Sequence, residues 1–197
     1  MTATEELQER GRARRRRADA ERNLNALLES AKAVFATSGV DAPAKEITDA
    51  AGLGVGTLYR HFPRRADLIM AVLQHEIDAC AEEASAIRGS RAPYDALRHW
   101  MRRYVDLVGT KRGLAEALHS GDAAFAGIQD YVAERLEPVV DDLIADARAT
   151  GEIASELDAR ELLYAIALLC QPVPGFDFEY NRRMAAVFVE GLRHSSG

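Results

Sequence analysis

The chain has 197 residues, of which 48% are hydrophobic, and its formal net charge is −6. This length suits one or two small domains with a sizeable core. The longest apolar run, Leu162 to Cys170, is too short for a membrane-spanning helix, which needs roughly 18 residues or more. The N-terminus is acidic and then Arg-rich with no hydrophobic signal region, and the two cysteines, Cys80 and Cys170, have no metal-ligand spacing. We therefore expect a cytoplasmic protein with reduced, core-filling thiols and no membrane partner.

The first 65 residues carry positive charge that the whole-chain balance hides. Residues 10–65 contain 12 Lys and Arg against 6 Asp and Glu, whereas residues 66–197 contain 13 against 22. Much of the excess lies in an N-terminal arm, residues 1–18, which contains Arg10, Arg12, Arg14, Arg15, Arg16 and Arg17. Such an arm can lie along the phosphates of a duplex or enter its minor groove. Alternatively it is a solvated tail, because like charges repel. We expect the arm to be disordered.

The segment from residue 43 to residue 68 predicts two short helices joined by a tight glycine turn. Lys45 to Ala51 shows the helical period, with Ile47, Ala50 and Ala51 facing inward. Gly52 follows where this helix should end, because glycine adopts a positive φ without a Cβ clash.

The second of these helices has one apolar side and one polar, aromatic side. It begins at Gly54 or Val55 and ends before Pro63. Leu58 and Phe62 are four residues apart and therefore share the buried face. The outer arc is left to Thr57, Tyr59, Arg60 and His61. Because a major groove about 12 Å wide admits one α-helix, the pattern predicts a helix-turn-helix reader of DNA.

The motifs around this turn occur at specific spacings. They are Ala51-Gly52, Gly56-Thr57-Leu58-Tyr59, the aromatic Phe62 and Arg65 before Asp67-Leu68, and the preceding helix carries Leu27, Leu28, Ala31, Val34, Phe35 and Gly39. In these features the segment from about 22 to 75 resembles the tetracycline-repressor (TetR) family of bacterial transcription regulators. The resemblance implies a DNA-binding domain of three helices over residues 19–65, followed by a helical effector-binding and dimerisation domain over residues 66–197.

Two positions depart from the family pattern. The family often has Ser and Lys at the start of its recognition helix, where this chain has Gly54 and Val55, so a side-chain N-cap and a cation are missing. An Arg that is common early in the first helix is replaced by Leu24. Phosphate anchoring there has to come from elsewhere, and the arm just upstream is the candidate.

The resemblance and the outer arc together predict the DNA contacts. We predict contacts at or near base edges for Thr57 and Arg60, where sequence is read. Phosphate contacts are predicted for Lys45, Tyr59, His61 and Arg65, and for the arm residues Arg14, Arg15, Arg16 and Arg17. The expected partner is double-stranded DNA with a near-palindromic operator, because a dimer would read two half-sites about one helical turn apart.

Beyond residue 66 the chain continues with helical periodicity and without strand alternation. Helices are predicted over about 66–80, 93–109, 125–151, 158–171 and 179–194. Pro138 lies inside the third of these and should kink it, because proline removes a backbone donor and clashes with the preceding turn. The predicted fold class is all-α, with about nine helices.

The last two helices are predicted to form a homodimer interface. Their apolar stripes contain Leu162, Ile166, Leu169, Met184, Val187, Phe188 and Leu192. A single chain could bury one flank of each helix against its own core, which would leave the second flank exposed. The resemblance implies that such helices pair across a two-fold axis in a four-helix bundle. The alternative is that both stripes belong to the core of one chain.

The resemblance also implies a small-molecule effector, which the sequence does not identify. The candidate pocket lining is Trp100, Met101, Tyr104, Leu118, His119, Phe125 and Tyr131. For each of these residues, an ordinary place in the core or on the surface is the alternative.

The sequence lacks the usual catalytic and metal-binding motifs. Gly52, Gly54 and Gly56 approximate a GxGxG string, but no βαβ unit and no P-loop Lys accompany them. There is no nucleophile elbow, HExxH or CxxC, and residues 119–122 are typical of a capping turn. Asp141, Asp142 and Asp146 fall on a solvated helix face. We expect neither an enzyme nor a cofactor.

Two functions remain. The first is a homodimeric, nucleoid-associated DNA-binding regulator, most simply a repressor that a small molecule releases. The second is an all-α protein that sequesters a hydrophobic small molecule and uses its basic head on a membrane surface or on nucleic acid without sequence preference. Indifference to DNA sequence would favour the second.

Overall fold

Eight α-helices make up most of the computed structural model, which describes residues 3–112, 122–154 and 156–193. They are α1 (Ala3–Ser38), α2 (Ala44–Ala51), α3 (Val55–His61), α4 (Arg65–Ile87), α5 (Pro93–Arg112), α6 (Ile128–Ala149), α7 (Ala159–Leu169) and α8 (Phe178–Glu190). Within these ranges there is no strand, and the only β-type pairing is an isolated bridge between Ile153 and Arg193. The all-α prediction is confirmed. The chain divides into two compact units, Met1–Val72 and Leu73–Gly197.

Helix α1 includes the arm that we expected to be disordered. It begins at Ala3 and continues to Ser38 without a break. Alanine and arginine are strong helix formers, and in this segment their propensity outweighs the repulsion between like charges. The side chain of Asp19 accepts a hydrogen bond from Arg22, one helical turn further on. The arm is therefore a helical extension of the first unit.

The core of the first unit is built from evenly spaced apolar side chains of α1 and the two short helices. Leu27, Leu28, Ala31, Val34 and Phe35 are buried, as are Ile47, Leu58 and Phe62. The α1 residues recur at three and four positions, which places them on one face of the helix. That face packs against α2. This core fixes α2 and α3, the two elements that carry the predicted DNA contacts.

The core of the second unit surrounds Trp100 on α5. The indole is fully buried, donates a hydrogen bond of 2.7 Å to the carbonyl of Cys80, and stacks on the ring of Tyr104 with 5.7 Å between centroids. Helix α5 packs against α6 and α8. Leu136 and Leu143 of α6 are completely buried beside it, as the predicted apolar periodicity requires.

The ends of the last three helices follow local sequence signals. Helix α6 continues through Pro138, which is exposed. Helix α7 begins with a capping box, in which Asp158 accepts from the Glu161 amide at 2.8 Å and Glu161 accepts from the Asp158 amide at 3.1 Å. Asn181 of α8 is buried and donates to the carbonyls of Leu169 and Gln171, at 2.6 and 2.9 Å. It thereby satisfies the C-terminal end of α7. Among the described residues, no helix is long and apolar enough to cross a membrane.

Candidate nucleic-acid interface

The turn between α2 and α3 has the glycine-dependent geometry that the sequence predicts. Gly52 has a φ of +66° and donates to the carbonyl of Asp49 at 3.2 Å, while Leu53 donates to the carbonyl of Thr48 at 2.9 Å. These two bonds form a Schellman motif, which closes the C-terminal end of a helix with a left-handed residue. A side chain at position 52 would be strained, so the turn is fixed by Gly52.

The N-terminal end of α3 has no side-chain cap. Gly54 is the N-cap, with an extended backbone at φ −84° and ψ 145° and with no side-chain hydrogen bond. A Cβ added to Gly54 or to Gly56 would meet no atom within 4 Å, and neither glycine has a positive φ. Neither local strain nor packing within the protein therefore requires glycine at these two positions. The N-cap and the second residue of α3 therefore carry no side chain, whereas Val55 and Thr57 of the first turn do.

The two faces of α3 divide as the sequence predicts. Leu58 is 3% exposed and Phe62 is buried, so both anchor the helix to the core. Tyr59 is 54% exposed, although large aromatic side chains usually lose most of their exposed surface in a fold. Arg60 and His61 are exposed and Thr57 is half-buried. All four predicted side chains therefore lie on or beside the solvent face.

The inward face of α2 differs from the prediction at one position. Ile47 is fully buried, but Ala50, which we expected to face inward, is exposed, and Thr48 is buried instead. At 100° per residue, Ile47, Thr48 and Ala51 lie within a third of a turn, and Ala50 falls outside that arc. Thr48 tolerates burial because its hydroxyl donates to the carbonyl of Lys45 at 3.1 Å.

Lys45 lies on the exposed side of α2. Its ammonium is 2.6 Å from a carboxylate oxygen of Asp49, and the side chain is largely exposed. Exposed pairs of this kind contribute about 0.3–0.5 kcal/mol, so a phosphate could compete for the ammonium at small cost.

Arg65 is held inside the DNA-binding unit. Its Nε donates to the carbonyl of Val40 at 2.7 Å, and its guanidinium carbon is 4.8 Å from the centroid of the Phe35 ring. Its Nη2 is buried and has no hydrogen-bond partner among the described residues. Burial lowers the pKa of Arg65 from its usual value, although Asp41 and Tyr59 act in the opposite direction. The side chain thus joins the loop before α2 to the start of α4.

Arg64, which we did not single out from the sequence, is the neighbouring exposed cation. Its guanidinium lies 2.6 Å from one carboxylate oxygen of Asp67 and 3.2 Å from the other, and its backbone amide donates to the same carboxylate at 3.1 Å. The hydrogen bond from Arg64 lowers the pKa of Asp67. The three-residue spacing between the two was the available signal.

The arm residues lie on α1 rather than on a flexible tail. Arg14, Arg15 and Arg17 are exposed, and the side chain of Arg16 lies outside the described residues. Because the helix continues into the part of α1 that packs on α2, the backbone that carries these arginines is continuous with the packed part of the helix.

Comparison with known proteins accounts for both units. Residues 27–72 match the family described as "Bacterial regulatory proteins, tetR family". Residues 92–194, more than half of the chain, match the family described as "Transcriptional regulator SbtR-like, C-terminal domain". The chain belongs to the TetR family of transcriptional regulators.

Individual relatives match this TetR-family chain over different fractions of its length. The repressors named KstR of Mycolicibacterium smegmatis and Mycobacterium tuberculosis are 28% and 30% identical to it over 134 residues, which is 64% of the chain. The match spans only 63% and 58% of the lengths of these two proteins. The crystal structure of the TetR regulator SCO0520 from Streptomyces coelicolor is 30% identical, with a TM-score of 0.71 over 88% of this chain and 99% of that one.

The candidate effector residues of this TetR-family chain that the structure describes make separate contacts in the second unit, apart from the stacked pair Trp100 and Tyr104. Trp100, Met101 and Tyr104 are buried, and the Tyr104 hydroxyl donates to the carbonyl of Leu163 at 3.4 Å. Tyr131 donates to the carboxylate of Asp78 at 2.9 Å. Phe125 is buried in a 3₁₀ turn, Ala123–Phe125, whose start is capped by Asp122. Leu118 and His119 lie outside the described residues.

The stripes predicted for the dimer interface are only partly exposed. Leu162, Ile166 and Leu192 are buried within the chain's own unit, whereas Leu169, Met184 and Phe188 are half-buried and Val187 is 66% exposed. The exposed apolar side chains that sequence analysis missed are Tyr164, Leu168 and Phe176, at 61%, 71% and 56%. Helix α7 is apolar on nearly every side, so its pattern could not show which side faces the core. We call Tyr164, Leu168, Phe176 and Val187 the apolar flank.

Proposed function

We propose that this TetR-family chain is a homodimeric, sequence-specific DNA-binding repressor that acts on the nucleoid and that a small-molecule effector releases. The observation that carries the proposal is the division of α3, in which Leu58 and Phe62 are buried while Tyr59, Arg60 and His61 are exposed. A seven-residue helix held by two apolar anchors presents its polar side rigidly. Rigid presentation is what base readout in a major groove requires.

The proposed contacts divide into base readout and phosphate binding. Thr57 and Arg60 contact base edges, and Lys45, Tyr59 and His61 contact phosphates beside them. Because Arg65 is tied to Val40 and Phe35, we assign it to positioning α4 against the loop before α2. The exposed arginines of the helical arm add phosphate contacts.

The apolar flank supports the dimer. Four large apolar side chains, each more than half exposed, are unusual for the surface of a monomer, and a second copy of the chain would cover them. Tyr164 and Leu168 are four residues apart and therefore lie on one side of α7. A two-fold dimer reads two half-sites in opposite directions, which gives a near-palindromic operator.

The direction of regulation is proposed from the relatives. The two KstR proteins are named as transcriptional repressors. Their similarity to this chain covers less than two thirds of their own length, so it supports repression here without identifying genes or effector.

Selection of bound duplexes from a random pool tests the proposal. Full-length protein should enrich one near-palindromic sequence, and mobility-shift titrations should then show a preference over unrelated duplex of ~10³ or more. Tyr59→Ala and Arg60→Ala should each weaken operator binding, while Arg91→Ala, at an exposed arginine outside α2 and α3, should not. Equal affinity for every duplex, with full competition by anionic vesicles, would instead support the sequestering protein.

A further inference from the structure

A cavity of about 380 Å³ opens between α5 and α8 in the second unit. This volume lies in the lower part of the range of small-molecule sites, roughly 300–1,000 Å³. Of the candidate effector residues that the structure describes, only Met101 belongs to its lining. The site therefore differs from the one that the aromatic residues of the sequence suggested.

The floor of the cavity is aliphatic and buried. Met101 and Val105 of α5 and Ala185 and Val189 of α8 line it, and all four are buried. These side chains can accept an apolar body of a ligand, but they offer it no hydrogen bond.

The rim carries more cations than its carboxylates can neutralise. Asp106 and Glu179 both pair with Arg182, at 2.8 and 3.3 Å. Glu190 accepts from the hydroxyl of Tyr94 at 3.0 Å and pairs with Arg193 at 3.5 Å. The three carboxylates of the lining are thus already engaged.

Of the four arginines in the lining, Arg98 also pairs, with Asp95 at 2.8 Å, so two remain, one on each wall. Arg102 of α5 and Arg183 of α8 line the cavity, and within the described ranges neither pairs with a carboxylate. Arg183 makes only a distant contact with an aromatic ring, 6.0 Å from the centroid of Tyr180. A guanidinium matches a carboxylate in shape and charge, and such hydrogen bonds are about twice as strong as neutral ones.

The cavity lies on a different side of α8 from the surface proposed to dimerise. The side toward the core contains Asn181, Ala185 and Val189. The rim side contains Glu179, Arg182, Arg183, Ala186 and Glu190. The remaining side contains Met184, Val187 and Phe188, and of these three only Val187 belongs to the apolar flank.

We infer that this cavity binds a small amphiphilic carboxylate, with its aliphatic body on the Met101, Val105 and Val189 floor and its carboxylate between Arg102 and Arg183. The inference deepens the proposed function by naming the chemical class of the effector. Binding itself does not depend on DNA, and only the release from an operator rests on the proposed function.

Calorimetric titration of the full chain with octanoate tests the site. Octanoate should bind with one site per chain, and octanol, which has the same chain length and no charge, should bind at least tenfold more weakly. The double variant Arg102→Gln/Arg183→Gln should lose about tenfold or more in octanoate affinity. Ala186→Phe should block binding, because position 186 is on the exposed side of the lining and can fill the cavity without crowding the core.

The matched control is Arg91→Gln, which removes the same charge from an exposed position outside the cavity and should bind octanoate like the wild type. Melting curves show that each variant is folded. Equal binding of octanoate and octanol, unchanged binding by the double variant, or an equal loss in the control would each overturn the site.

A mobility-shift titration separates this inference from the proposed function. Octanoate should release the wild type, but not the double variant, from the selected operator. If the protein selects an operator but octanoate does not bind, the inference fails and the repressor stands. If octanoate binds as expected but no operator is selected, the site stands and the repressor fails.

Discussion

Replacing Arg65 with Met tests whether this side chain positions α4 or binds a phosphate of DNA. Met keeps most of the aliphatic length that packs on Phe35, but it removes the donor to the Val40 carbonyl and the charge over the ring. A hydrogen bond from a charged donor contributes about 1.5–3 kcal/mol, and a partly exposed cation–π contact contributes about 0.5–1 kcal/mol. Removal of a partly buried charge offsets some of this loss. We expect the free energy of unfolding to fall by about 1–3 kcal/mol.

Two measurements on the same variant check the assignment. Urea denaturation followed by circular dichroism gives the change in stability. Operator titration at several salt concentrations gives the slope of log affinity against log salt, which falls by about 0.9 for each phosphate that the protein no longer neutralises. A positioning residue lowers stability and affinity but leaves the slope unchanged, because unfolded protein reduces only the active fraction.

Arg64 and Lys45 provide controls for the stability measurement and for the salt slope. Arg64→Met breaks an exposed pair with Asp67 and should cost about 0–1 kcal/mol. Lys45→Met should lower the salt slope and cost at most about 0.5 kcal/mol of stability, from the lost pair with Asp49. If Arg65→Met instead lowers the slope by about 0.9 per half-site at unchanged stability, Arg65 binds a phosphate directly and the reasoning from Val40 and Phe35 is wrong.

Three further predictions concern the turn, the dimer and a buried thiol. Gly52→Ala should lower stability by about 1–2 kcal/mol, because position 52 has a φ of +66°. Gly56→Ala should raise stability by about 0.5–1 kcal/mol, because a Cβ at position 56 meets no other atom. Thermal melts that rank the two variants in the reverse order would contradict the turn geometry. Leu168→Glu should give monomers in sedimentation velocity without loss of stability. Leu162→Ala should instead cost about 2–5 kcal/mol of stability and leave the dimer intact. If the Leu168→Glu variant remains a dimer, the apolar flank is not the interface. Burial raises the pKa of the Cys80 thiol from 9.0 to about 12, so the fold favours the neutral thiol. Stability should therefore be full below about pH 9 and fall as the pH rises toward 12, and in denaturation measured against pH a Cys80→Ala variant should lack this part of the decline.

The DNA-binding unit could be predicted from sequence because its determinants are local. Leu58 and Phe62 are four residues apart on a short helix, so their spacing alone fixes which side of α3 is exposed. Gly52 follows directly after the last turn of α2, where only a left-handed residue closes the helix easily. Each of these inferences needs no information beyond a few neighbouring residues.

Arg65 could not be assigned in this way because its partners are distant in sequence. The carbonyl of Val40 is 25 residues away, and the Phe35 ring lies on another helix. The sequence marks Arg65 as a basic residue beside the motif, but it does not show what the guanidinium contacts. Only the fold shows that Arg65 is held inside the unit and that Arg64 is exposed.

The remaining differences between the predictions and the structure occur where two opposing tendencies have similar strength. In residues 3–18, repulsion between arginines favours disorder and helix propensity favours α1, and no local pattern shows which prevails. In α7, Leu162 and Leu168 are equally apolar, although one is buried and the other is 71% exposed. The choice of face is made by packing against the rest of the unit.

The strengths of the ion pairs made by α4 limit how an effector in the α5–α8 cavity could act on this helix, which carries residues of both units. Arg103, next to the rim residue Arg102, lies 3.2 Å from Glu76 of α4, and Glu76 is almost completely buried. Breaking such a pair would cost about 3–5 kcal/mol, more than the roughly 1–3 kcal/mol that typically couples two binding sites.

The contacts between α4 and α6 are weaker. Arg88, the residue after α4, pairs with Asp142 and Asp146, Asp78 of α4 pairs with Arg135, and all these side chains are partly exposed. Exposed pairs contribute roughly 0–1 kcal/mol each, which a ligand can offset. In the proposed repressor, these exposed ion pairs of α4 should therefore rearrange more readily than the buried Arg103–Glu76 pair.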